Sequence, residues 1–417
     1  MASRPQPSAT QTKRFEEKRE LILNAAAQLF NERGVKGATF ADIAGRVGLV
    51  PNSVTYYYRK KEDLAAACFL RAIAVVDRIA AEAGEQPSIE LRVRSFLTRH
   101  AELLAEMERG THPPLILLNE LHALPQPQLA DIYAAYTAVF RRVRRLLRGA
   151  DTAAFSRDEM TARAHLLLSA AHWLRMWLWR HEAAQYLRVA ERLCDLVLGG
   201  VPAAHSSWCP AGVELRWRLV DDAGGTVEAF LRAATRLVNE QGHEGASIAK
   251  ISAQLNRTKG AFYHHHDNKD DLIEACFERT FTVIRRALEL SEEAGGSGWE
   301  QLRAAVCALI RFQVAPEGPL LRTAATSAMP DSAHRDAVRK TLNQLTERVA
   351  SAVADGVIDG SLRPLDPSIA AQLIVAGINA TAEARRWIPG VAPDEAVRLY
   401  GPPLLAGLVN RTAIANP

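Results

Sequence analysis

"IAKISAQLNRTKGAFYHHHDNKDDL", residues 248–272, decides how this chain is read. Its three consecutive histidines stand beside Asp267 and invite a metal site. Helix geometry argues otherwise. Neighbouring side chains on a helix point about 100° apart, so three in a row cannot converge on one ion. Helical metal pairs want i, i+4 spacing instead. No metal ligation is expected, and the meaning of the row has to come from its surroundings.

Those surroundings occur twice. Residues 22–71 and 230–279 align without a gap at an offset of 208. Leu23, Ala25, Ala26, Leu29, Asn31, Glu32, Gly34, Gly37 and Ala38 recur as Leu231, Ala233, Ala234, Leu237, Asn239, Glu240, Gly242, Gly245 and Ala246. Lys61, Asp63, Leu64, Ala67, Cys68, Phe69 and Arg71 recur as Lys269, Asp271, Leu272, Ala275, Cys276, Phe277 and Arg279. The likeness extends to "PLILLNELHALP" (114–125) and "PLLRTAATSAMP" (319–330). The period is far longer than that of a solenoid repeat, so a whole domain is duplicated. The Gly, Pro and Ser of "GGVPAAHSSWCPAGVE" (199–214) mark the join as a linker. "LRWRLV" after it reads equally as a short strand or the lead-in to a helix.

Each copy is helical at its start. Leu21, Ile22, Ala25, Ala26 and Leu29 form an apolar stripe, and Gly34 stops the helix where a left-handed residue is wanted. Thr39 is placed to cap a second, short helix that buries Phe40, Ile43 and Val47. A third short helix begins near Pro51. A longer one opens near Lys61 and carries Leu64, Phe69 and Val75 inward. Two short helices joined by a tight turn and braced by longer ones make a helix-turn-helix. Its second short helix is sized for a major groove.

"FADIAGRVGLVPNSVTYYYRKKEDL" and, more fully, the opening stretch resemble the N-terminal domain of the TetR family of transcriptional regulators. The family pattern is of the type I-A-x-x-x-G-V-S-x-G-x-x-Y-x-H-F-x-x-K-x-x-L. The resemblance implies an all-α chain built from two TetR-like units. Each has a three-helix DNA-binding head and a helical body that binds a small effector and dimerises. It also implies a place for the histidines. The position of Tyr263 touches phosphate, that of His264 faces the groove, and those of His265 and His266 lie toward the core and rim of the head. The units implied are a disordered tail (1–13), a first head (14–76), a first body (77–200), a linker (201–222), a second head (223–284) and a second body (285–412).

The two heads differ in chemistry. In the second, Thr258 stands at a capping position, Ser247 is a further DNA-binding candidate, and Lys259 can meet phosphate or a base edge. Gly260 and Ala261 let the backbone approach DNA, and Lys269 opens the next helix, whose dipole favours phosphate. In the first, Val50 replaces the capping hydroxyl, a loss of about 1 kcal/mol. Pro51 partly offsets it, since proline suits the first helical turn. Asn52 replaces glycine and can reach an adenine edge. Ser53 joins the same helix, Thr55 replaces tyrosine, and Tyr56 and Tyr57 can serve phosphates. Lys61 and its basic neighbours Arg59 and Lys60 lie near the backbone. Lys13, Arg14, Lys18 and Arg19 form a lead-in suited to a minor groove.

Both bodies end in a helical pair, over 165–200 and 369–410. By the resemblance, these pairs pack as a four-helix bundle, here within one chain as a pseudo-dimer. Covalent linkage keeps the second half at an effective concentration of roughly millimolar, and further homodimerisation is left open. Trp173 and Trp177, an i, i+4 pair, form an aromatic patch with His172, Met176 and Trp179. They are candidates to line an effector pocket, with core packing as the plainer reading. His112, Glu120 and His122 are polar candidates in the first body, and Arg311 and Arg322 in the second.

Composition fits this reading. The 417 residues are 48% hydrophobic and 24% charged, enough for a large core. No apolar run approaches the roughly 18–20 residues of a membrane span. Five scattered cysteines argue for a reducing cytoplasm and against a disulfide framework. A net charge of +4 means that any nucleic-acid surface must be local. No Gly-rich phosphate loop, G-x-S-x-G, Cys/His metal spacing or paired carboxylates are found, so neither an enzyme nor a cofactor is expected. The expected partners are operator DNA and an unidentified effector. The expected function is a one-component repressor, with a helical interaction protein as the alternative.

Overall fold

The computed structural model describes residues 9–118, 124–206, 208–209, 217–220, 225–255, 269–329 and 332–410. Helix α1 (Ala9–Gly37) starts inside the stretch expected to be a tail. Its first turns are polar but hold no proline or glycine after Pro7, so polarity there marks exposure rather than loss of helix. Ile22, Ala25, Ala26 and Leu29 are buried as expected, whereas Leu21 is 53% exposed. Leu21 sits one residue, and so about 100°, off the buried stripe. Gly34 kinks the helix at φ 70.

The first head continues with α2 (Phe40–Arg46), α3 (Pro51–Tyr57) and α4 (Lys61–Gly84). The first body adds α5 (Ile89–Glu108), α6 (Gln128–Leu146), α7 (Arg157–Trp177) and α8 (Tyr186–Gly199). The second half repeats the plan. Its head holds α9 (Gly225–Gly245), kinked at Gly242 with φ 71, and α10 (Ile248–Gln254). Its body follows with α11 (Lys269–Ala294), α12 (Gly298–Val314), α13 (Ser332–Ile358), α14 (Pro367–Thr381), the short α15 (Ala384–Trp387) and α16 (Pro393–Leu405). Among the described residues the chain is all-α, and no helix is long and apolar enough to cross a membrane. The boundaries expected at 76/77 and 284/285 fall inside α4 and α11. Each head therefore shares a continuous helix with its body.

The halves meet through α7 and α8 on one side and α14 and α16 on the other. The packing is reciprocal. Val201 N donates to Leu405 O at 2.8 Å, and Leu408 N donates to Val197 O at 2.9 Å. Such an exchanged pair is the signature of an isologous, two-fold contact, here made within one chain. Gly200 (φ 70) and Gly407 (φ 99) lie at this crossing, where backbones approach too closely for a side chain. Arg163 is fully buried and donates Nε to Leu408 O at 2.9 Å. Nδ1 of His165 lies 3.0 Å from Tyr400 OH, and Trp173 Nε1 donates to Gln372 Oε1 at 3.0 Å.

The expected linker is docked where it leaves the first half. Ala203 N and Ser206 Oγ donate to Ser361 O, and Pro202 pairs with Leu362. Residues 211–216, which include the first two of "LRWRLV", lie outside the described residues. The remainder of that segment, 217–220, is neither strand nor helix.

Candidate DNA interface and effector cavity

The first head presents its second short helix outward. Val54 is buried beneath α3, which leaves Pro51, Asn52, Thr55 and Tyr56 on the open face with Ser53 at its edge. Tyr56 is 76% exposed. Phe15 of α1 packs against Tyr57 at 4.7 Å and Tyr56 at 6.1 Å between ring centres. That contact ties the basic lead-in of α1 to the recognition helix, and sequence reasoning missed it. Thr39 and Asp42 form a reciprocal capping box at the start of α2. Val50 makes no side-chain cap, as expected. Val50→Thr is therefore expected to stabilise the first head by about 1 kcal/mol, read as a higher urea midpoint at unchanged slope.

Lys61 is engaged within the head. Its ammonium donates to Lys36 O and Ala38 O, both at 2.9 Å, and so closes the end of α1. In the second head, Ser247 Oγ accepts from Lys250 N at 3.3 Å and caps α10. Thr258, Lys259, Gly260, Ala261, Tyr263, His264 and His265 lie outside the described residues, as does the side chain of Lys269.

Behind each head stands the same clamp. Asn31 Nδ2 donates to Leu115 O at 2.9 Å, while Leu117 N donates to Asn31 Oδ1 at 2.8 Å. Asn239 does the same with Leu320 O (2.8 Å) and Arg322 N (3.0 Å). Arg71 and Arg279 donate to the carbonyls of Pro114 and Pro319. The side-chain amide imitates a strand partner, so each head grips one backbone segment of its body. The signal was in the sequence, because Asn31, Asn239, Arg71 and Arg279 are among the repeated identities.

Both gripped segments reach one cavity of about 200 Å³. Leu115, Ile116 and Leu117 line it from the first half and Arg322 from the second. Arg175 of α7 also holds the first segment, donating to Leu115 O at 2.6 Å. The apolar wall includes Leu103, Leu104 and Met107 of α5. His165, Ser169, His172 and Met176 make a stripe down α7 at i, i+4, i+7 and i+11. Burial pushes His165 and His100 down to about 4 and His172 down to about 3, so all three rings are neutral near pH 7. Asn379, Glu383 and Arg386 close the cavity from the second half, with Arg322 paired to Glu383.

Of the expected ligand residues, His172 and Trp173 line this cavity and Trp177 does not. Trp177 is buried against His181 at the end of α7, where the helix tightens into a 3-10 turn and its face rotates away. His122 and Glu120 lie outside the described residues. His112 bonds Pro113 O and lies off the cavity. Arg311 turns outward to Asp394 and Glu317, whereas Arg322 lines the wall. His100, His165, Glu383 and Arg386 were not anticipated. The α7 stripe was the signal for His165. The rest needed the two halves in place. No metal-holding cluster of His, Cys, Asp and Glu occurs among the described residues.

The signature of bacterial regulatory proteins of the tetR family matches residues 22–68 and again 230–276. The two matches are separated by the same 208 residues as the internal repeat. A tetracyclin repressor-like C-terminal domain matches residues 295–387. The chain is a TetR-family protein with duplicated N-terminal units. It is a transcriptional regulator with DNA-binding helix-turn-helix domains.

Relatives of the TetR-family chain include the Transposon Tn10 TetC protein of Escherichia coli, 24% identical over 149 residues, 36% of this chain and 74% of that protein. The uncharacterized HTH-type transcriptional regulator YhgD of Bacillus subtilis (strain 168) is 20% identical over 142 residues, 34% and 74% of the two chains. Among solved structures, the TetR family transcriptional regulator PfmR of Thermus thermophilus aligns at 22% identity with a TM-score of 0.37. That alignment covers 42% of this chain and 95% of PfmR.

Proposed function

We propose that this regulator is a one-component repressor that grips operator DNA as a single pseudo-dimer. A small molecule filling the composite cavity releases it. The observation that supports this reading is the convergence of both head clamps on one cavity. A ligand there pushes on Leu115–Leu117, held by Asn31, and on Arg322, held by Asn239. Either shift changes how the heads are set relative to each other. Two recognition helices must stand about 34–36 Å apart to enter successive major grooves, so a small change weakens both contacts.

In this proposal the heads span 14–76 and 223–284, the bodies 77–200 and 285–412, and 201–222 join them. Asn52, Ser53, Thr55 and Tyr56 face the groove in the first head, with Thr39, Pro51 and Tyr57 at the backbone. Thr258, Lys259, Gly260, Ala261, Tyr263, His264, His265 and Lys269 serve the second, with Ser247 at its rim. Charge reversal at Lys259 and Lys269 is expected to weaken binding to every duplex. The salt slope should also fall by about one for each phosphate no longer neutralised. Titrating fluorescent duplexes at two salt concentrations reads both. The uncapped Val50 favours a second reading, in which the first head only positions the other. Unchanged affinity in the charge-reversed chain would count against DNA binding by the second head.

A further inference from the structure

The cavity wall holds polar atoms that no protein group satisfies. Nδ1 of His100 lies 2.6 Å from Phe96 O. A carbonyl only accepts, so Nδ1 carries the ring proton and Nε2 is a bare acceptor. That Nε2 is buried without a partner, and so is Nε2 of His172. On the opposite side, Arg322 pairs with Glu383 through Nη1 but leaves its buried Nε–H without an acceptor. An unmet buried polar group is destabilising, so these atoms mark where a ligand gains.

Charge points the same way. Arg175, Arg322 and Arg386 line the cavity together with one carboxylate, Glu383, and the histidines beside them are neutral. The balance among these lining groups favours an anion. Leu103, Leu104, Met107 and Trp173 supply an apolar floor. The volume, about 200 Å³, is several times the ~30 Å³ that one water occupies in the liquid.

The second half cannot repeat this site. Counted from the caps Ser88 and Ser297, His100 corresponds to Leu309. Counted from Ser156 and Asp366, His165 and His172 correspond to Val375 and Ala382. The unpartnered ring nitrogens of His100 and His172 belong to the first half alone.

We infer that the cavity takes one small hydroxylated organic acid per chain, its hydroxyl donating to His100 and its carboxylate accepting from Arg322. This rests on the effector reading above and gives that effector a chemical class. The duplication then has made a two-headed regulator with a single sensor.

The test is titration of the full chain by calorimetry and tryptophan fluorescence with 4-hydroxybenzoate, 3-hydroxybenzoate and 6-hydroxyhexanoate. Benzoate, 4-hydroxybenzyl alcohol and tyramine are the controls. At least one hydroxylated acid is expected to bind at one per chain, at least tenfold tighter than benzoate or the alcohol, with no binding of tyramine. His100→Leu should abolish the preference for the hydroxyl, and Arg322→Gln the preference for the acid. Arg386→Gln, which leaves the Arg322–Glu383 pair intact, provides a second reading of the charge effect. Two ligands per chain, equal binding of tyramine, or no binding by any of the three acids would overturn the inference. A bound acid that leaves operator affinity unchanged would keep the ligand class and overturn release by effector instead.

Discussion

Gly407→Ala is expected to destabilise the chain by about 3 kcal/mol or more, a large effect for one added methyl group. Two costs combine. Gly407 has φ 99, a region that side-chain-bearing residues avoid. A Cβ there would also run into the carbonyl oxygen of Leu198, on the other half of the molecule. That oxygen belongs to backbone, so it has no rotamer by which to give way. Gly390→Ala separates the two costs. Its φ is 79, but a Cβ there meets nothing within 4 Å, so it should cost only about 1–2 kcal/mol. Urea unfolding reads the difference. Hydrogen exchange at Val201 and Leu408 should rise in Gly407→Ala alone, since those amides make the reciprocal bonds at the crossing. Equal losses in the two variants would mean that the close approach of the halves contributes nothing.

Acid is expected to unfold the protein well above the pH at which its carboxylates protonate. His100, His165 and His172 titrate at about 4, 4 and 3 in the folded chain because burial disfavours the imidazolium. In the unfolded chain they return to about 6.5. Their folded values are lowered, so the unfolded state takes up protons first as pH falls. Their contribution to stability is therefore fully present above about pH 6.5 and is lost progressively down to about 3. Each ring contributes a slope of up to roughly 1.4 kcal/mol per pH unit. Urea midpoints at pH 7.5, 6.0 and 5.0 measure this. His100→Leu combined with His172→Leu should remove about two thirds of the combined slope of the three rings. A midpoint that does not move between pH 7.5 and 5.0 would contradict the buried, neutral assignment.

The elements that could be read from sequence are those whose causes are local. Gly34, Thr39, Pro51 and Lys61 punctuate the first head, and each stands at a helix end, a kink or a cap. The duplication was legible because one offset relates the whole series of identities. The cavity was legible only in part. His172 and Trp173 carried an aromatic signal, but Trp177 shared it and points elsewhere. His100 comes from α5 and Glu383 and Arg386 from the turn and short helix after α14, far apart in sequence, and their convergence depends on how the two halves dock. The contacts of Lys61 were hidden for a related reason. The carbonyls that hold it, Lys36 in the last turn of α1 and Ala38 just after it, form a contact invisible to helical periodicity. Asn31 and Asn239 show the reverse case: the repeat preserved them, yet only the structure reveals that they join head to body.

That one chain supplies both halves of the DNA-binding dimer is tested most directly in two steps. Bound sequences are selected from random duplexes with the full chain, and the complex on the selected duplex is then weighed. Two unlike half-sites with centres one helical turn apart, occupied by one chain, are the expected result. A symmetric palindrome occupied by two chains would contradict it, because each chain would then contribute one dominant head to an ordinary dimer.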